Sequence, residues 1–143
     1  MARRLLVSKA ALARILEDLQ SQHPGADTEL VFSNPFELLV ATILSAQCTD
    51  ERVNQVTPRL FARYPDAPRL AAAEPEDLEP IIESTGFFRM KSRSLVHMAR
   101  ALVDGHRGEV PADMTALVAL PGVGRKTANV VLGHALGVPG LPV

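Results

Sequence analysis

Apolar and polar positions along the chain follow helical spacing almost throughout. From the N-terminus, Leu12, Ile15, Leu16 and Leu19 fall on one stripe, and Ser8 is placed to cap the helix that carries them. Ser21 to Thr28 is polar, holds Pro24 and Gly25, and breaks the pattern; it separates an N-terminal helix and linker, residues 1–28, from a main body, residues 29–143. Asn34-Pro35-Phe36-Glu37 reads as a helix start, with a capping asparagine, proline in the first helical position and a glutamate able to reach back to the cap. Leu38 to Ala46 is then apolar on every side, as in a helix sunk in the middle of a core. Thr49 caps a helix from Asp50 to about Arg63, and Tyr64 to Pro68 is a turn. Two short helices follow, around Arg69 to Ala73 and Pro75 to Glu83, the second opened by proline and two acids. Gly86 closes that pair. A longer helix runs from Phe87 or Phe88 to about Asp104, with Leu95, Met98, Ala99, Leu102 and Val103 as its buried stripe. Arg89, Arg93 and Arg100 cluster beside that stripe and read as a solvated face. With no alternating run of β-branched residues, the pattern predicts an all-α fold, a compact array of about eight helices joined by short capped connections.

The last periodic segment carries the candidate chemistry. Gly105, Gly108 and Pro111 mark a loop, Asp113 caps a short helix from Met114 to Leu120, and Leu120-Pro121-Gly122-Val123-Gly124-Arg125-Lys126-Thr127-Ala128 opens a further helix to Leu136. The stretch at about residues 113–136 is therefore helix, tight hairpin, helix. Its glycines let the backbone turn sharply and approach a ligand closely. The unbonded N–H groups of the following first turn, together with the positive end of the helix dipole, suit a phosphate. On a helical wheel Ala128, Val131, Leu132, Ala135 and Leu136 lie opposite Lys126, so the stripe enters the core and the lysine faces outward. The dipole at that position disfavours a cation and favours the neutral, nucleophilic amine, more so where water is excluded. The bland alternative is an exposed lysine that contacts phosphate or nothing.

Composition narrows the partners. The chain has 143 residues, 47% of them hydrophobic, enough for one core, and a net charge of −1. A sequence pI near 6.4 lacks the basic balance of a protein held on DNA by charge alone, so binding has to come from local geometry. The charges are nevertheless segregated. Asp66, Glu74, Glu76, Asp77, Glu79 and Glu83 crowd one region, and Arg89, Lys91, Arg93, Arg100 and Arg107 fill the next. Cys48, the single cysteine, excludes an intrachain disulfide and a multi-cysteine metal cage, and reads as a small buried hydrophobe. His97 and His134 have no carboxylate or cysteine at ligand spacing, so no metal site is expected. No segment approaches the ~20 apolar residues of a membrane span, and the arginine-bearing N-terminus lacks a signal core, which suits the cytosol.

Five motifs occur in order: Asn34 to Leu39; Leu44-Ser45-Ala46-Gln47 with Thr49-Asp50; Thr85-Gly86-Phe87-Phe88 with Lys91; Gly108-Glu109-Val110-Pro111; and Leu120 to Ala128. Together, from about Glu29 onward, they resemble the endonuclease III family of helix-hairpin-helix DNA glycosylases. The resemblance implies a base-excision-repair enzyme that flips an oxidised pyrimidine out of duplex DNA, cuts its glycosidic bond and cleaves the abasic site by β-elimination. It implies a monomer acting in the bacterial cytoplasm, associated with the nucleoid through DNA. By matching the hairpin, Lys126 becomes the amine that attacks the sugar C1′. Gly122, Val123, Gly124 and Thr127 become contacts to the DNA backbone, Gln47 fills the gap left by the flipped base, and Lys91 lies near DNA. Read without the resemblance, Gln47 is a polar residue in a helix-ending loop, Lys91 a solvated charge and Asp50 a helix start. The alternatives are the adenine-mismatch glycosylase branch, against which Lys126 counts, and a non-catalytic module that only grips DNA.

The family resembled also carries a catalytic aspartate in a Val-Asp-Thr-His sequence after the hairpin helix. Four C-terminal cysteines hold its 4Fe-4S cluster, and its first helix packs on that C-terminal part. The chain reaches Leu141-Pro142-Val143, which matches the family up to the residue before the aspartate. The resemblance therefore implies the front part of a glycosylase, an incomplete helical domain, weak or inactive as written and binding no cluster. The N-terminal helix is expected to be loosely held.

Overall fold

The computed structural model describes residues 29–135. The expected helix from Ser8 to Leu19, and Leu136 at the end of the hairpin helix, lie outside the described residues. Seven α-helices occur among the described residues: α1 Pro35–Leu44, α2 Asp50–Arg63, α3 Ala67–Ala71, α4 Pro75–Ile82, α5 Phe88–His106, α6 Met114–Val118 and α7 Arg125–His134. A 3-10 turn, Glu83–Thr85, links α4 to α5.

Local capping sets most of the boundaries. Asn34, Thr49, Asp66 and Asp113 each accept the N–H three residues on, from Glu37, Arg52, Arg69 and Ala116. The Asp66 cap, with Pro68 in the first turn, starts α3 at Ala67, two residues earlier than expected. Glu37 does reach back, but its Oε1 takes the N–H of Ser33 at 2.8 Å, one residue before the cap.

The apolar helix α1 is the centre of the molecule. Leu38, Leu39, Val40, Ala41 and Leu44 are fully buried, and α1 packs against α2, α5 and α7. The single polar group of its middle turn, Thr42 Oγ1, donates to Leu38 O at 2.7 Å and so needs no outside partner. Around this axis α5 lies against α3 and α4, with Leu95, Met98, Ala99 and Leu102 fully buried.

Two expectations for α5 are corrected. Val103 lies at the margin of the stripe, 37% exposed. Arg100 is not on a solvated face: its Nε donates to Ala71 O and its guanidinium NH2 group to Ala73 O, both at 2.9 Å. It satisfies carbonyls left without partners where α3 ends, and a planar fork of donors suits two neighbouring carbonyls. No helix among the described residues is long and apolar enough to cross a membrane.

Candidate nucleic-acid interface

The hairpin between α6 and α7 is built inward from its apolar residues. Leu117, Leu120 and Val123 are buried, and the N–H of Val123 donates to Leu120 O at 3.1 Å to close the turn. The expectation that Val123 offers its N–H to phosphate is thereby corrected: that group is spent inside the turn, and the side chain anchors the hairpin in the core. Gly122 has φ +78°, and a Cβ there would stand 2.9 Å from Ser94 Cβ on α5, so conformation and packing both require glycine. Gly124 differs. Its backbone is extended, with φ −96° and ψ −177°, and an added Cβ would meet nothing within 4 Å. Packing among the described residues does not call for glycine there, although glycine suits the N-cap position that Gly124 holds.

Beyond Gly124 no side chain caps α7. The N–H groups of Gly122, Gly124, Arg125, Lys126 and Thr127 meet no acceptor among the described residues. Those of Arg125, Lys126 and Thr127 belong to the first turn of α7, at the positive end of its dipole, a setting that suits a phosphate oxygen. Ala128, Val131 and Leu132 face the core, and Lys126 is exposed in the first turn, as the wheel predicts. Thr127 is half-buried beside it.

Next to the hairpin a cleft of about 250 Å³ is lined by Ile43, Ala46, Gln47, Phe87, Met90 and Ser94, together with Lys91 and Gly122. Three connections meet here: the one after α1, the one before α5, and the hairpin. Gln47 and Phe87 are exposed at its rim, and both adopt left-handed backbone conformations, φ 54° and 47°. Such geometry is uncommon for residues with a Cβ and persists where the surroundings impose it, often at binding sites. Phe87 and Met90 are more than half exposed, at 56% and 57%, an apolar surface with no covering partner among the described residues.

Lys91 is where the structure departs furthest from the sequence reading. The residue is 4% exposed, and its Nζ donates to Leu44 O at 2.7 Å and Thr85 O at 2.8 Å. It is neither a solvated charge nor a free cation facing DNA. Burial pushes its ammonium below the usual lysine range, an effect partly opposed by the nearby Cys48 sulfur. Cys48 itself is half-buried against the core, and Asp50 opens α2 and accepts the N–H of Glu29 at 3.1 Å.

The structure thus brings Gln47, Lys91 and Gly122 to one cleft, with Lys126 and Thr127 in the helical turn that follows the hairpin. Phe87, Met90 and Ser94 belong to the same cleft and were not singled out as site residues from the sequence. The available signal is the Thr85-Gly86-Phe87-Phe88 motif, which carries the resemblance without assigning Phe87 a role. No group of His, Cys, Asp and Glu among the described residues could hold a metal ion. A 4Fe-4S cluster takes four thiolates, which the single cysteine of this sequence does not fit.

Residues 40–135 match the model of the HhH-GPD superfamily of base excision DNA repair proteins, and the chain belongs to that superfamily. Within it, the chain is similar to endonuclease III. It is 51% identical over 138 residues to endonuclease III of Synechocystis sp., covering 96% of this chain and 63% of that protein. It is 47% identical over 128 residues to the Bacillus subtilis protein, covering 90% and 58%. Among solved structures, a non-covalent endonuclease III–DNA complex superposes with a TM-score of 0.77 at 52% identity, covering 82% of this chain and 55% of that one. A trapped endonuclease III–DNA covalent intermediate gives 0.76 at 52% identity, covering 81% and 55%. The chain therefore spans somewhat less than two thirds of the length of these relatives.

Proposed function

We propose that this chain supplies the DNA grip and the nucleophile of a bifunctional base-excision-repair glycosylase acting on oxidised pyrimidines and abasic sites in bacterial cytoplasmic DNA. The observation that carries the reading is the placement of Lys126. It is an exposed amine in the first turn of α7, beside a run of unbonded N–H groups and next along the chain from a cleft rimmed by Gln47 and Phe87. Phosphate bound at Gly122 and Gly124 would fix the register of the DNA backbone, and register is what brings a sugar carbon to the amine. Side chains at the cleft rim suit insertion into a base stack once a nucleotide has left it.

The chemistry follows from an amine and an aldehyde. Lys126 Nζ attacks C1′ of a ring-opened abasic sugar, water leaves, and a protonated imine forms. The imine acidifies the C2′ proton; its loss expels the 3′ phosphate as the C3′–O bond breaks. In the glycosylase step the same amine displaces the base from C1′, and the base leaves with the electron pair of the glycosidic bond.

Preformed abasic DNA tests the amine without requiring a base to depart. Borohydride reduction of the imine should leave a covalent adduct between the chain and DNA, and Lys126→Gln should reduce adduct formation by at least about 100-fold. Equal trapping by that variant would move the nucleophile elsewhere. Binding without any trapping by the parent would favour the non-catalytic DNA-gripping module.

A further inference from the structure

The two rim residues of the cleft come from unrelated parts of the chain. Gln47 follows α1 in a loop stiffened from within: Ser45 N donates to Ala41 O and Thr42 O, Ala46 N to Ile43 O, and Cys48 N to Ser45 O. Phe87 follows the 3-10 turn in a second stiff loop. There Gly86 N donates to Glu83 O, and the buried Thr85 hydroxyl donates to Ile82 O. Each loop holds its own shape, but nothing within either one sets the distance between them. Lys91 Nζ does, by donating to Leu44 O at the end of α1 and to Thr85 O two residues before Phe87.

We infer that Lys91 is a positioning residue: one buried ammonium ties the last carbonyl of α1 to the carbonyl before Gly86, and so sets the separation of Gln47 and Phe87. The inference rests on the DNA reading above and adds a role for a residue that does not itself touch DNA. Leu44 O is among the carbonyls a helix leaves unbonded at its C-terminus, where a cation also meets the negative end of the dipole. Two charge-assisted bonds of 2.7 and 2.8 Å leave little freedom to the ammonium, and burial keeps it from a phosphate. Lysine reaches both carbonyls from the second turn of α5, the helix whose Ser94 also packs on Gly122. One face of α5 thus holds both rim loops and the hairpin in register.

The test compares the full chain with Lys91→Met, which keeps the stem and removes the donors. Binding is measured to a duplex with a stable abasic analogue and to an intact duplex, over a range of salt. The ratio of the two affinities should fall at least about tenfold, with an unchanged salt slope. In the Gln47→Ala background, Lys91→Met should reduce that ratio by clearly less than in the parent, because part of its effect passes through Gln47, and an equal further loss overturns the inference. Equal losses on both duplexes with a slope smaller by about one would identify a phosphate contact and overturn the inference. Should Lys91→Met not fold, Lys91→Gln, with two donors on a shorter stem, carries the same comparison. Amide exchange without DNA reads the strut by itself: it should accelerate at residues 45–48 and 86–87, and unchanged exchange in both loops overturns it. A parent that binds both duplexes equally would instead count against the DNA reading.

Discussion

Gly122 and Gly124 sit two residues apart and answer to different demands. Gly122→Ala would place a Cβ 2.9 Å from Ser94 Cβ at φ +78°, so it should lower folding stability by about 1–3 kcal/mol in denaturant titration and weaken DNA binding with it. Gly124→Ala meets open space and should cost under about 1 kcal/mol in the same titration, yet it should reduce DNA affinity clearly, since its Cβ would stand where phosphate approaches. Full affinity in that variant would remove Gly124 from the interface. Lys126 and Lys91 divide in a similar way. The outward face of Lys126 follows from helical period alone, a relation within a single turn or two. The partners of Lys91 lie 47 and 6 residues away, and no local pattern announces either of them.

Among the elements, α1, α2 and α6 start where their caps place them, because a cap is a bond from a residue to the N–H two or three positions on. α3 shows how a short helix escapes that reading. With only five residues it has little apolar pattern, and its position is stabilised by Asp66 at one end and Arg100 of α5 at the other. Arg100→Ala should therefore destabilise the fold by about 2 kcal/mol, leaving two carbonyls without their charged donor, and amide exchange should rise first in α3. A change below about 0.5 kcal/mol would show that water replaces the guanidinium without loss. The placement of Arg100 was illegible for the same reason as that of Lys91: a charged residue beside an apolar stripe looks solvated until the helix packed against it is known.

For the molecule as a whole, a net charge of −1 argues against a broad cationic surface as the source of DNA affinity. If the grip is made by backbone N–H groups and a few cations, the logarithm of affinity should fall with the logarithm of salt at a slope no steeper than about −4. A slope near −8 in an anisotropy titration would mean that a wide basic face had been missed. The all-α class, most helix starts, the glycine hairpin and the outward lysine were legible along the chain, because each depends on residues within a few positions of one another. The motifs together carried the resemblance to one family. Helix packing alone makes Lys91 a buried strut and Arg100 a half-buried one. It alone brought Gln47, Phe87 and Gly122 to one cleft. Those outcomes depend on which helices pack together, and a carbonyl 47 residues away becomes a partner only when the core has formed.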